Sequence, residues 1–176
     1  MNDILKKIIN PTGLGIRNDR SGHGTWGAPR GNRIHKGIDR LCVPGQTVKS
    51  YITGIYIRPA RPYADDTQYT GALFGNKWIR VKMFYVHVTM FQPGQNIKAG
   101  EVFGVAQDIS LKYNKPGMDE DMKMLPHVHY QIDSMDPLVI EEFLCGENLL
   151  NTMESNTIEW GPSASFPTGM LTRENM

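Results

Sequence analysis

The 176-residue chain has only two cysteines, Cys42 and Cys145, far apart in sequence. That excludes a disulfide framework, and both read as free thiols. It has no apolar run approaching the ~20 residues of a membrane-spanning helix. It also lacks an excess of either charge: 19 Lys+Arg stand against 18 Asp+Glu, for a net +1. A dedicated nucleic-acid or anionic-membrane binder would concentrate positive charge, so that class is excluded. The opening MNDILKKIINP has two lysines among scattered apolar residues and no 7–15-residue apolar core, so no secretory signal peptide is expected. Hydrophobic residues make up 40% and mean hydropathy is -0.38, ordinary values for a globular chain of about one domain. At this length roughly 70% of the unfolded surface can be buried, so neither disulfides nor a metal is required merely to fold.

The chain is richer in short β-like segments. TVKSYITGIYI (47–57), EVFGVAQ (101–107) and HVHYQI (127–132) each predict a strand, and KWIRVKMFYVHV (77–88) predicts two. Pro44-Gly45, Gly75-Asn76, Pro93-Gly94 and Ala99-Gly100 supply turns between them. Ile4, Leu5, Ile8 and Ile9 recur at helical spacing until Asn10-Pro11, and Asp136-Pro137 opens a second helix over LVIEEFLC that Gly146 ends. Glycines punctuate 10–34, and 58–76 and 108–126 read as long loops. From 151 the composition shifts to Asn, Thr, Ser, Gly and Pro, with Trp160 and Phe166 as isolated aromatics. An extended tail, 151–176, wrapped on the domain or on a partner, is expected. The pattern is mostly β with two short flanking helices.

The chemistry is concentrated in histidines. In a strand, His127 and His129 of P-H-V-H-Y-Q-I point to one face about 6.6 Å apart. One can then ligate a metal while the other faces the water that the metal activates. His35 and Asp39 of R-I-H-K-G-I-D-R would stand about 13 Å apart on a straight strand. To share a zinc at ~2.0–2.2 Å the chain must bend between them, which Gly37 permits. Taken singly, these patterns also fit half-buried strand histidines and a surface His and Asp.

Their order carries more. His35-x-x-x-Asp39, then Tyr85-Val86-His87, then His127-x-His129 resembles the lysostaphin-like zinc metallopeptidases, peptidoglycan endopeptidases of bacterial cell walls. The context is similar too: the Pro-Gly turn after Asp39, F-Q-P-G-Q-N-I-K-A-G-E-V-F-G-V between the His segments, and Leu14-Gly15-Ile16-Arg17 where the family has Phe-Gly-x-Arg. The resemblance spans about 13–143. It implies a compact antiparallel β-sheet domain with a metal-binding groove (1–150, followed by the 151–176 tail) and one Zn2+ per chain on His35, Asp39 and His129. It implies His87 and His127 as the non-ligand catalytic pair, facing each other across the metal's open position. The implied substrate is a peptidoglycan peptide. Without a signal peptide, a phage-encoded endolysin or virion component is the expected origin. A zinc-stabilised assembly or binding module of the same fold, without turnover, is the alternative.

The two long loops depart from the family and are expected to wall the cleft, with Tyr63, Tyr69 and Phe74 either lining it or packing on their own loop. Asp119-Glu120-Asp121 reads as a solvated charge run. Cys42, three residues beyond Asp39, reads as a buried structural thiol, and His23 as a loop residue.

Overall fold

Strand β9 (Ile79–Phe84) buries Ile79, Val81 and Met83 while Arg80, Lys82 and Phe84 are less covered. This period of two sets one face against a core and frees the other. In the computed structural model, which describes residues 9–135, the pattern organises two antiparallel sheets. The larger has six strands in the order β11 (Asn96–Ile97), β7 (Gly54–Ala60), β8 (Gly71–Gly75), β9, β13 (His127–Met135) and β5 (Ile38–Leu41). The smaller has three: β10 (Val86–Val88), β12 (Val102–Ala106) and β6 (Thr47–Lys49). The mostly β, antiparallel architecture expected from the sequence is the one observed. The helices expected at the two ends, Cys145 and the tail lie outside the described residues.

The core brings both sheets together: Phe74, Val81, Met83, Val128 and Tyr130 from the larger, Val48, Val86 and Phe103 from the smaller. Phe74 and Phe103 meet with ring centroids 5.6 Å apart at 55°. A tilted aromatic pair of this kind adds about 0.5–1.5 kcal/mol beyond the area it buries. Cys42 belongs to the same cluster, and burial pushes its thiol up to about 12. It is a core residue.

The region 58–76 differs from expectation. It contains the end of β7 and all of β8, whose five residues are buried throughout. Its glycines suggested a loop, but one of them serves close approach. A Cβ on Gly71 would lie 2.0 Å from the Met83 carbonyl oxygen on β9, a gap only glycine fits. Phe74 is therefore in the core, away from any cleft. The true loop is 61–70. The 108–126 segment remains a long connection, with a one-turn helix α1 (Ser110–Tyr113) and a 3-10 turn at Glu120–Met122. Asp119, Glu120 and Asp121 are exposed. Within 10–34 the chain forms two small hairpins, β1 (Asn18–Asp19) with β2 (Gly22–His23) and β3 (Pro29–Arg30) with β4 (Arg33–Ile34).

Candidate active site

Along β13, Val128 and Tyr130 turn inward to the core, so His127 and His129 alternate onto the opposite face. The pairing with β5 sets Asp39 opposite His129 and Leu41 opposite His127. His35 precedes β5 in the bend, anchored by backbone hydrogen bonds from His35 N to Ala28 O (2.8 Å) and from Gly27 N to His35 O (2.8 Å). Gly37 lets this bend lie flat on β13, because a Cβ there would come within 2.5 Å of both His129 Cε1 and Tyr130 O.

One ligand atom from each of His35, Asp39 and His129 therefore falls within 4.8 Å of the others. His129 Nδ1 is 2.8 Å from Asp39 Oδ1, His35 Nε2 is 3.1 Å from the same oxygen, and the two nitrogens are 3.0 Å apart. The remaining ring nitrogens have partners that fix the tautomers. His35 Nδ1 donates to Thr25 O at 2.8 Å, and His129 Nε2 to Gln131 Oε1 at 3.2 Å. Each ring then turns its other nitrogen towards Asp39. Three ligand atoms converging on one point suit a divalent cation, with outer partners already orienting the rings. The residues present fit a metal ion.

The second carboxylate oxygen is occupied differently. Asp39 Oδ2 accepts from Arg17 Nε (3.2 Å), Arg17 Nη2 (3.1 Å) and Arg30 Nη2 (3.4 Å). Arg17 is buried, and its Nη1 also donates to Asp19 Oδ1 at 2.7 Å. Burial alone would raise the Asp39 carboxyl. Hydrogen bonds from His129 and His35 overcome it and hold the group well below the usual carboxylate range. Asp39 is thus ionised, with one oxygen for a metal and one for the two guanidinium groups. Neither Arg17 nor Arg30 was assigned a role from the sequence. The signal was there in the Leu14–Arg17 segment, but a basic residue 22 positions from its partner shows no local pattern.

These groups open into a cleft of about 1110 Å³. Its ionised lining is cationic: Arg17, Arg30, Arg33 and Lys36 against the single carboxylate of Asp39. His127 lines it, nearly buried, with Nδ1 donating to Leu125 O at 2.8 Å and Nε2 3.8 Å from Asp39 Oδ2. Burial first of all lowers the pKa of this imidazole, favouring the neutral ring with its lone pair on Nε2.

His87 does not join it. It is exposed on β10 and is not among the residues lining the cleft. Tyr85, Val86 and His87 do not lie on one extended strand. Instead Tyr85 has a φ of 65°, the only positive value at a non-glycine among the described residues. Tyr85 N and Val86 N both donate to Thr70 O, at 2.8 and 3.2 Å, and Gln107 N donates to Tyr85 O at 2.8 Å. The chain kinks there, leaving β9 for β10 in the other sheet. A left-handed tyrosine costs about 1–3 kcal/mol and persists because its surroundings over-determine it. It is Tyr85 that lines the cleft, its ring edge-on to His127 at 5.4 Å between centroids and 85°.

No protein-family profile matches the chain. The solved structure of lysostaphin from Staphylococcus simulans superposes with a TM-score of 0.50 at 18% identity, over 90% of this chain and 60% of that one. The chain thus spans less than two thirds of lysostaphin, and the likeness establishes a shared fold. Leukocyte cell-derived chemotaxin-2 from Bos taurus is 29% identical over 123 residues, 69% of this chain and 75% of the relative. The Mus musculus protein of the same name is 31% identical over 121 residues, 68% of this chain and 74% of the relative. On that extent of identity, the chain belongs to the leukocyte cell-derived chemotaxin-2 family, built on a lysostaphin-like fold.

Proposed function

We propose that this chain is a zinc-dependent endopeptidase that hydrolyses peptide bonds in bacterial peptidoglycan. The observation that carries the reading is the convergence of His35, Asp39 and His129 at the floor of a cleft, with a ring nitrogen of each histidine facing one carboxylate oxygen. Three protein ligands leave a tetrahedral zinc one open position, as catalysis requires. Zinc bound there would polarise a scissile carbonyl and lower the pKa of water towards neutrality. Around it, His127 is the chain's own proton acceptor. Its Nδ1–H is committed to Leu125 O, so the lone pair on Nε2 is directed towards the Asp39 side of the cleft. Arg17 and Arg30 hold Asp39 in place and ionised, while Arg33 and Lys36 at the rim favour a substrate carrying a carboxylate. The test is clearing of purified cell walls from several bacteria in a zymogram, with and without a chelator. Clearing that survives complete removal of zinc would sink the reading.

Two observations favour a second reading, a zinc-stabilised assembly or binding module without turnover. His87 is exposed, and the curated relatives are named as chemotaxins. A protein that binds one zinc per chain, clears no wall and captures a protein partner through its 151–176 tail would favour this reading over the first.

A further inference from the structure

Among the polar groups lining the cleft, the Tyr85 phenol stands beside His127 and is accounted for by neither the metal ligands nor the two arginines on Asp39. Its ring stands edge-on to His127, on the cleft side of the kink that turns His87 outward. Behind it runs a row of hydroxyls. Tyr113 Oη is 2.8 Å from Tyr63 Oη, which is 3.2 Å from Tyr85 Oη. Each phenol has one proton to give. If donation runs inward, Tyr113 to Tyr63 to Tyr85, the Tyr85 proton is the one left for the cleft. The row is braced from outside. Lys112 Nζ lies 4.4 Å from the centre of the Tyr63 ring and pairs with Asp66, tying the 61–70 loop to α1. The backbone of Tyr85 is pinned by Thr70 and Gln107.

We infer that Tyr85 is a substrate-binding group of the cleft, its hydroxyl donating a hydrogen bond to the oxygen of a tetrahedral or carbonyl ligand held opposite His127. The inference rests on the proposed hydrolase reading for its ligand class, but not on turnover. It divides the labour between unlike groups. Burial pushes the Tyr85 phenol up to about 12, so it keeps its proton and can donate it in a hydrogen bond beside His127. Tyr63 is a positioning residue, acting through the Tyr85 hydroxyl.

The experiment compares the full chain, zinc-loaded, with its Tyr85→Phe, Tyr63→Phe and His87→Ala variants. Three quantities are measured: zinc content with melting temperature, the affinity of a phosphinic dipeptide by calorimetry, and release of peptides from cell walls. Tyr85→Phe should keep zinc and fold yet bind the phosphinate about 10–100-fold more weakly, in line with removal of one oxyanion donor. Tyr63→Phe should show a smaller loss of the same kind, and the loss should not appear in His87→Ala. Wild-type affinity in Tyr85→Phe, or a loss carried by His87→Ala, overturns the assignment. Walls left intact by a wild-type protein whose phosphinate binding depends on Tyr85 would refute the endopeptidase reading and leave Tyr85 in place. A zinc-loaded wild type that ignores the phosphinate refutes both.

Discussion

Replacing Gly37 by alanine adds a single methyl group and tests whether the bend before β5 positions the metal ligands. An alanine Cβ would stand 2.5 Å from His129 Cε1, 2.6 Å from His129 Nε2 and 2.5 Å from Tyr130 O. Ordinary contact needs about 3.5 Å or more, so roughly 1 Å must be found. Backbone cannot yield cheaply on one side, because Tyr130 is paired to both β5 and β9. The imidazole is hemmed in on the other, since Phe84 of β9 stacks on it at 5.7 Å and 16°. Either β5 parts from β13 or the ring shifts. Overpacking of this kind costs about 1–3 kcal/mol. A metal site tolerates ligand errors of only about 0.2 Å, so zinc affinity should fall by at least 10- to 100-fold, the loss typical of disturbed outer partners. Competition with a chromogenic chelator measures the affinity, and melting in the presence of chelator isolates the packing cost. Gly15→Ala is the control, because nothing lies within 4 Å of a Cβ there. Wild-type zinc affinity and melting in Gly37→Ala would refute the placement of His129 against the bend.

Other outcomes follow from the same geometry. Purified protein should hold one zinc per chain, and at a free concentration a hundredfold above Kd the metal should raise Tm by roughly 5–10 °C; elemental analysis and calorimetry check both. His129→Ala should lose metal and wall clearing together, whereas His127→Ala should keep most of the metal and lose clearing; equal metal loss would show the roles misassigned. Lys36→Gln should raise KM on stem peptides bearing a free carboxylate, with little effect on kcat, and added salt should mimic it in the wild type. Burial pushes Tyr85 up to about 12, so the folded state holds that proton more firmly than the unfolded chain, where a tyrosine titrates near 10. The stability it lends is complete below about pH 10 and is lost as pH rises through about 12. Tyr85→Phe should therefore move the midpoint of alkaline unfolding upward, as followed by circular dichroism.

What could be read in advance depended on whether a residue's role is local. His127 and His129 share a face by strand period alone, and Ile79, Val81 and Met83 mark their strand by plain alternation. His35 and Asp39 needed a bend, for which Gly37 was the pointer. Gly37 is not among the glycines at positive φ, however, and it is the missing Cβ that matters. β8 escaped notice because Gly71 and Gly75, which allow tight packing on β9, look the same in sequence as turn glycines. The turn at Tyr85 was illegible for a related reason. Strand alternation is carried through Tyr85 only if the backbone stays extended, and Thr70, fifteen residues earlier, prevents that. Arg17 and Arg30 reach Asp39 across 22 and 9 residues, distances at which no periodicity speaks.

The seam between β5 and β13 has a consequence for the order in which the molecule assembles. Asp39 and His129 are 90 residues apart and meet only when these two strands close the edge of the large sheet. Closing a chain segment of that length carries an entropy cost on the order of 4 kcal/mol, which the other strands reduce by pairing first. On this entropy the ligand triad is expected to form late in folding, so zinc is not expected to template the chain as it does in a small finger. Its effect falls on the reverse process. Zinc should slow unfolding in proportion to the affinity gained while leaving the folding rate nearly unchanged, because it locks a contact absent from the transition state. A fragment that stops short of β13 would retain His35 and Asp39 yet have no third ligand to close the site.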